Sequence, residues 1–219
     1  MPQTTRDQID AAVRVLIAEI GLPENFVEGL LGGDDWSFVV KLHALIEAGL
    51  THALVAHVGR DDARDVFANL DLNNTKTGKI AFAGIFLDLR PEDRRIMRAL
   101  SEMRNQIVHD VRNVNLDLNA HVGALGLDGR RNFVKAFGYV EAGSDETLQE
   151  LDQLLTRYSD KVRLMVLRSA MFLLAVLQLQ VDTVRAKQES IDQRLKIAEL
   201  LKSKSWLIGG HTKSIDGKS

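Results

Sequence analysis

Apolar residues recur every three or four positions along most of this chain, which is the spacing that places them on one face of an α-helix. Runs of this kind cover residues 4–20, 24–31, 34–58, 76–89, 91–111 and 144–185, and a weaker one lies within 186–219. Segment 113–131 is rich in asparagine, aspartate and glycine and is predicted to be a loop, followed by a short aromatic helix over 133–139. The pattern predicts an all-α protein.

The run over 34–58 is apolar nearly all round, which is typical of a helix packed at the centre of a bundle. We therefore predict an antiparallel helical bundle of four to five core helices, with extra helices at the N- and C-termini. The expected organisation is an N-terminal helical extension over 1–33, the bundle over 34–185 and an amphipathic tail over 186–219.

Composition limits the classes of function and the compartment. The 219 residues are 45% hydrophobic and include no cysteine, so the core is large and no disulfide framework is possible. The N-terminus has no apolar segment of the kind that a secretory signal needs, and the run Leu164 to Val181 is interrupted by Arg168 and by two glutamines. A membrane span takes about twenty mostly apolar residues. We expect a cytoplasmic protein with no membrane segment.

One candidate site lies near the end of the helix predicted over 91–111. Its sequence SEMRNQIVHD contains Arg104, Asn105 and His109. On a helical wheel, the core stripe is formed by Ile96, Leu100, Met103, Ile107 and Val111. Asn105 and His109 point away from that stripe, whereas Arg104 flanks it and must bend its side chain to join them.

Local positive charge surrounds this site, although the formal net charge of the chain is only −2. Arg94, Arg98 and Arg112 fall on the same side of the predicted helix as His109. Because the net charge gives no general attraction for nucleic acid, a local patch of this kind is required for phosphate binding. Arg98 and Arg112 are the expected phosphate contacts.

An arginine and a histidine at such a position suit metal-independent RNA cleavage. There, the ribose 2′-hydroxyl attacks the adjacent phosphate, a histidine moves the proton and a guanidinium stabilises the added negative charge. Asn105, one turn before His109, can hold the imidazole by a hydrogen bond. The alternative is a solvated helix end, with a protonated His109 near the negative pole of the helix.

A second polar strip crosses the apolar helix 34–58, where His43, Glu47 and Thr51 follow one another at intervals of four residues. A carboxylate in such a helix needs a partner, and the expected partners of Glu47 are His43 or an arginine of the motif helix. His43 and Glu47 would then orient the motif side chains by contacting them from the core, without contacting the substrate. A satisfied ion pair of the core and a polar element of a dimer interface remain as alternatives.

Other chemistries have little support in the sequence. The fragment TKTGK at 75–79 lacks the preceding strand and first glycine of a phosphate-binding loop. No clustered spacing of histidine and acidic residues indicates a metal, so neither a metal nor a cofactor is expected. The lack of a helix-turn-helix with a strongly basic second helix argues against direct reading of DNA.

Arg104-Asn105-x-x-x-His109 on a late helix of an apolar bundle resembles the Arg-polar-x-x-x-His motif of the HEPN superfamily. The order of three segments is most similar to the mannitol-repressor group of that superfamily. The segments are WSFVVKLHALIEAGLTHALVAHVG, then GKIAFAGIFLDLRPEDRRIMRAL before the motif, then RLMVLRSAMFLLAVLQL. Glu47 falls where such proteins often carry an acidic residue.

The resemblance implies a homodimeric RNA endonuclease with Arg104, Asn105 and His109 at a shared cleft. It also suggests a toxin, stress or phage-defence setting and an antitoxin or regulatory protein as a partner. The mannitol-repressor likeness implies instead a transcriptional or metabolic regulator that acts through protein contacts without catalysis. A nucleotide-binding module that does not cleave is a third possibility. Because the chain keeps all three motif positions, we favour the nuclease.

Overall fold

The computed structural model describes residues 5–74, 76–109, 111–138 and 148–208. The first half of the chain contains α1 (Thr5–Glu19), α2 (Phe26–Leu31), α3 (Asp35–Val58), α4 (Arg64–Ala68) and α5 (Lys79–Phe86). The second half contains α6 (Pro91–Val108), α7 (Leu118–Gly123), α8 (Leu127–Phe137), α9 (Leu148–Arg157) and α10 (Val162–Ile208). Short 3-10 helices cover Asp61–Ala63 and Val111–Asn115. These ranges contain no strand, so the prediction of an all-α helical bundle is confirmed.

Two of the predicted segments are organised differently in the structure. The segment 113–131 is not a loop, because Asp117 caps α7 by accepting a hydrogen bond from the backbone N–H of Ala120 at 2.9 Å. The run 144–185 is interrupted between α9 and α10, and its first four residues lie outside the described ranges. Asn119 accepts a hydrogen bond from the backbone N–H of Val162 at 3.0 Å, so a distant side chain caps the start of α10.

Helix α3 lies at the centre of the hydrophobic core and packs against α4, α5 and α6. Its Gly49 leaves little space for a side chain, since a Cβ there would lie 3.2 Å from Leu16 of α1 and 3.4 Å from Leu174 of α10. Helix α1 thus contributes to the same core, although the sequence places it in a separate N-terminal extension. Two compact units are present, Met1–Val181 and Asp182–Ser219, and the second begins four residues before the predicted tail.

Capping interactions fix both ends of α3 and the start of α6, the two helices that position most of the candidate site residues. Helix α3 begins where Asp34 accepts a hydrogen bond from the backbone N–H of Ser37 at 2.8 Å, and it ends at Gly59, whose φ of 69° is left-handed. Helix α6 begins at Pro91, a residue whose fixed φ and missing N–H suit the first position of a helix. The preceding backbone N–H of Arg90 donates to the carboxylate of Asp93 at 2.9 Å.

Two stretches of the described ranges are long and apolar enough to cross a membrane by length and composition alone, Asp35–Val58 and Val162–Lys202. The most apolar windows of these stretches are 67% and 56% buried inside the protein. Because the core helix of a soluble bundle has the same properties, these stretches are weak evidence for a membrane span.

Candidate functional site

The buried face of α6 is formed by Ile96, Met97, Leu100, Met103 and Ile107. Asn105 and His109 are exposed, in agreement with the helical wheel. The helix ends earlier than predicted, at Val108, and His109 occupies the C-cap position with φ −81° and ψ −8°. The imidazole therefore stands at the carbonyl end of the helix, where a positive charge is favourable.

Arg104 is half-buried and bends toward Asn105 on the exposed side of α6. Its Nη1 donates a hydrogen bond to Oδ1 of Asn105 at 3.0 Å. No hydrogen bond joins His109 to Arg104 or Asn105 among the residues that the structure describes. Asn105 therefore orients Arg104, whereas the sequence predicted a hydrogen bond from Asn105 to His109.

His43 of α3 lies close enough to Arg104 for the charge of the guanidinium to act on it. Burial lowers the pKa of His43 below its usual value, and Arg104 and Lys79 act in the same direction, whereas the carboxylate of Glu47 opposes them. The Nε2 atom of His43 is buried and has no hydrogen-bond partner among the described residues. His43 is consequently neutral at pH 7, and it does not repel the neighbouring guanidinium.

Glu47 is held chiefly by Lys79 of α5, a partner that was not among those expected from the sequence. The distance from Lys79 Nζ to Glu47 Oε1 is 2.5 Å, whereas His43 Nδ1 lies 3.9 Å from Glu47 Oε2. Lys79 Nζ also donates to the backbone carbonyl of Ala68 at 3.1 Å. Neither partner expected from the sequence, His43 or an arginine of α6, makes the short contact.

The segment before α5 places Lys79 at this position. Asp71 accepts hydrogen bonds from the backbone N–H groups of Asn73 and Asn74, each at 2.7 Å, which closes a tight turn. Gly78 follows, and a Cβ there would lie only 2.5 Å from the carbonyl oxygen of Asn74. The described part of the fragment TKTGK, residues 76–79, therefore leads from a turn into α5 and presents a buried lysine, in place of a nucleotide cradle.

The sequence did contain a signal for Lys79. The residues Lys79 and Ala83 are four apart on a short apolar helix, so they share the face that packs into the core. A lysine on such a face requires an acidic partner, and Glu47 is the residue of α3 that needs a positive one. These two requirements make Glu47 a candidate partner of Lys79, and the packing of α5 against α3 decides that the two side chains meet.

The arginines expected to bind phosphate are exposed but spread along the surface. Arg98 lies eleven positions before His109, which corresponds to about 16 Å along the helix axis. Arg112 lies in the 3-10 helix Val111–Asn115, which is tied back to α6 where Asn113 donates to the carbonyl of Gln106 at 3.2 Å. A third arginine, Arg94, is half-buried and has its guanidinium against Gly84 of α5.

An open depression of about 320 Å³ lies beside this part of α6. Its lining includes Glu102 and Gln106 of α6, His121 of α7 and Phe133 of α8. On the wheel, Glu102 and Gln106 share the side of α6 that carries His109. The exposed face of the motif is therefore bordered by a concave surface.

No group of three or more histidine and acidic side chains suited to holding a metal ion occurs in the described part of the chain. The arrangement instead brings together one oriented guanidinium, a neutral buried histidine and a carboxylate neutralised by a lysine. The half-buried Arg104 and the exposed Asn105 and His109 are residue types suited to recognition of an anion and transfer of a proton.

Comparison with known proteins adds no family assignment, since no family model, curated protein or solved structure matches this chain.

Proposed function

We propose that this protein is a metal-independent RNA endonuclease of the HEPN type, which acts as a cytoplasmic homodimer in a toxin, stress or phage-defence setting. The observation that carries the proposal is the hydrogen bond from Arg104 to Asn105, with His109 one helical turn further along the same exposed side. This arrangement supplies an oriented cation and a residue able to transfer protons near neutral pH.

In the proposed reaction, His109 removes the proton of a ribose 2′-hydroxyl and the 2′-oxygen attacks the neighbouring phosphorus. The bond from phosphorus to the 5′-oxygen breaks, and that oxygen takes a proton from the motif of the second copy across the dimer cleft. The products are a 2′,3′-cyclic phosphate and a free 5′-hydroxyl. Arg104 stabilises the negative charge that develops on the phosphate oxygens.

The surrounding residues prepare Arg104 for this role. Because His43 is neutral at pH 7, it leaves the guanidinium free to attract a phosphate. Lys79 neutralises Glu47, so the carboxylate is not available to compete with the substrate for Arg104. Arg98 contacts phosphates further along the strand, at the distance that eleven helical positions impose.

The test is incubation of the purified full chain with mixed RNA in the presence of a chelator, beside His109→Ala and Arg104→Ala. The matched controls are His57→Ala and Arg64→Ala, which remove exposed residues of the same types elsewhere on the surface. The wild type and both controls are expected to produce 2′,3′-cyclic phosphate ends, and the two motif variants are expected to lose the activity.

Cleavage by all five proteins at one rate would identify a contaminating nuclease and overturn the proposal. Absence of cleavage by the wild type across RNA substrates and pH values would also overturn it. That second result favours the mannitol-repressor-like interpretation, in which the chain is a regulator that acts through protein contacts.

A further inference from the structure

The second compact unit carries a seven-residue repeat along the last part of α10. Its core positions are alternately four and three residues apart, and they are Val184, Gln188, Ile191, Leu195, Ala198 and Lys202. This alternation is the spacing of the core positions of a coiled coil. The repeat is imperfect at Gln188 and Lys202, and a polar residue at such a position sets the register of a coiled coil at some cost in stability.

The apolar side chains of this stripe are largely uncovered within one chain. Ile191 is 50% exposed and Leu195 is 58% exposed. A lone helix in water gains little from propensity alone, and most of its stability comes from packing of an apolar face. Packing of this apolar stripe against a partner helix would therefore stabilise the segment.

The charges beside the stripe specify which partner fits. Lys187 and Arg194 lie along one edge, seven residues apart, and Asp192 and Glu199 lie along the other edge with the same separation. In a parallel pair of identical helices, each basic residue meets the acidic residue five positions later in the other helix. Lys187 then faces Asp192, and Arg194 faces Glu199. In an antiparallel pair, like edges meet, and basic residues face basic residues.

We propose that residues 184–202 form a parallel two-stranded coiled coil with the same segment of a second copy of this chain. The apolar stripe supplies the seam and Gln188 meets its own counterpart in register. The edge charges select the parallel orientation, because only there do basic residues face acidic ones. Lys187, Arg194 and Glu199 make no ion pair within the part of the chain that the structure describes. The interface does not depend on RNA cleavage.

The first test measures the mass of the full chain in solution by sedimentation velocity over a range of concentrations. The wild type is expected to approach the mass of a dimer as concentration rises. Leu195→Glu, in the seam, is expected to need a higher concentration than the wild type to reach the mass of a dimer, and Ile197→Glu is the matched control because Ile197 is 57% exposed but lies off the stripe. A wild type that stays monomeric, or a Leu195→Glu variant that dimerises as readily as the wild type, would overturn the proposal.

Charge reversal provides a second test that a folding defect cannot imitate. The pair of substitutions Lys187→Glu with Arg194→Glu places acidic residues on both edges, and Asp192→Lys with Glu199→Lys places basic residues on both edges. Each double variant alone is expected to dimerise more weakly than the wild type, whereas an equimolar mixture is expected to form a heterodimer at lower concentration than either variant dimerises alone. A mixture that dimerises no more readily than the separate variants contradicts the proposed pairing.

Disulfide cross-linking determines whether the two helices are parallel or antiparallel. The chain has no cysteine of its own, so every disulfide comes from the introduced residues. In the parallel arrangement, Val184→Cys and Ala198→Cys each form a disulfide with a second copy of the same variant. In an antiparallel arrangement about Ile191, disulfides form instead between the two different variants. Dominance of the mixed disulfide would overturn the parallel orientation.

Discussion

Lys79 and Glu47 join α5 to α3 through an ion pair of 2.5 Å in which the two partners differ sharply in burial. The side chain of Lys79 is 2% exposed, whereas that of Glu47 is 32% exposed. The lysine therefore depends on the carboxylate and on the carbonyl of Ala68, while the carboxylate retains access to water. Loss of one partner has a different consequence from loss of the other.

Removal of the carboxylate is expected to destabilise the protein more than removal of the ammonium group. Glu47→Ala leaves a buried, uncompensated charge on Lys79, and we expect the free energy of unfolding to fall by about 3 kcal/mol. Lys79→Met keeps the apolar stem of the side chain and leaves Glu47 partly solvated, so its cost is expected to be smaller. Urea denaturation of the two variants measures the difference.

The double variant Glu47→Leu with Lys79→Met is the control for this asymmetry. It removes both charges, and it is expected to recover most of the stability lost in Glu47→Ala, because apolar replacements for a buried ion pair are often tolerated. A double variant less stable than Glu47→Ala would mean that the two charges do not act as a pair.

Stability is expected to decrease in mild acid because of His43. The folded state lowers the pKa of His43, chiefly by burial, so below pH 6.5 the unfolded chain binds a proton that the folded protein does not. The contribution of His43 to the free energy of unfolding is complete above pH 6.5 and is lost as the pH falls toward the lower folded pKa. His43→Gln is expected to make the profile of stability against pH flatter in that window.

An exposed histidine of the same helix provides the comparison. His57→Gln alters a residue at the end of α3 whose ring remains in water and contacts Phe86 at 5.6 Å between ring centroids. Chemical denaturation at several pH values is expected to give a wild-type profile for this variant. Equal flattening by both substitutions would show that burial of His43 is not the cause.

The left-handed end of α3 is expected to be sensitive to a side chain. Gly59 has φ 69°, and a Cβ there meets no atom within 4 Å, so the cost of Gly59→Ala is conformational, about 1 kcal/mol. Gly59→Asn is expected to cost less, since asparagine adopts this conformation more readily. Gly123→Ala is the control, because that glycine also has open space but no positive φ. Thermal denaturation measures all three variants.

Replacement of Arg104 or Arg98 by lysine separates the effect of an oriented guanidinium on RNA cleavage from the effect of positive charge alone. Arg104→Lys keeps the charge but loses the planar guanidinium that donates to Asn105, and we expect RNA cleavage to fall by roughly 100-fold. Arg98→Lys, at an exposed position where only attraction of phosphate is proposed, is expected to change the cleavage rate little. Single-turnover cleavage assays compare the two, and equal loss in both would argue against an oriented role for Arg104.

The face of α6 that carries the motif could be read directly from the sequence. The wheel separates Ile96, Leu100 and Ile107 from Asn105 because all four belong to one continuous helix with a fixed rotation per residue, and His109 follows as the C-cap residue of that helix. The bend of Arg104 toward Asn105 also follows from this local geometry, since adjacent side chains need no tertiary contact to meet.

Local periodicity also determined the all-α class and the central position of α3, because an amphipathic or uniformly apolar repeat reports how each helix is buried. Tertiary structure alone decided which side chains meet across helices. Glu47 pairs with Lys79 over a separation of 32 residues, and Asn119 caps α10 over a separation of 43. Contacts over such separations leave no periodic pattern in the sequence, because they depend on how the helices pack against one another and not on the rotation per residue within one helix.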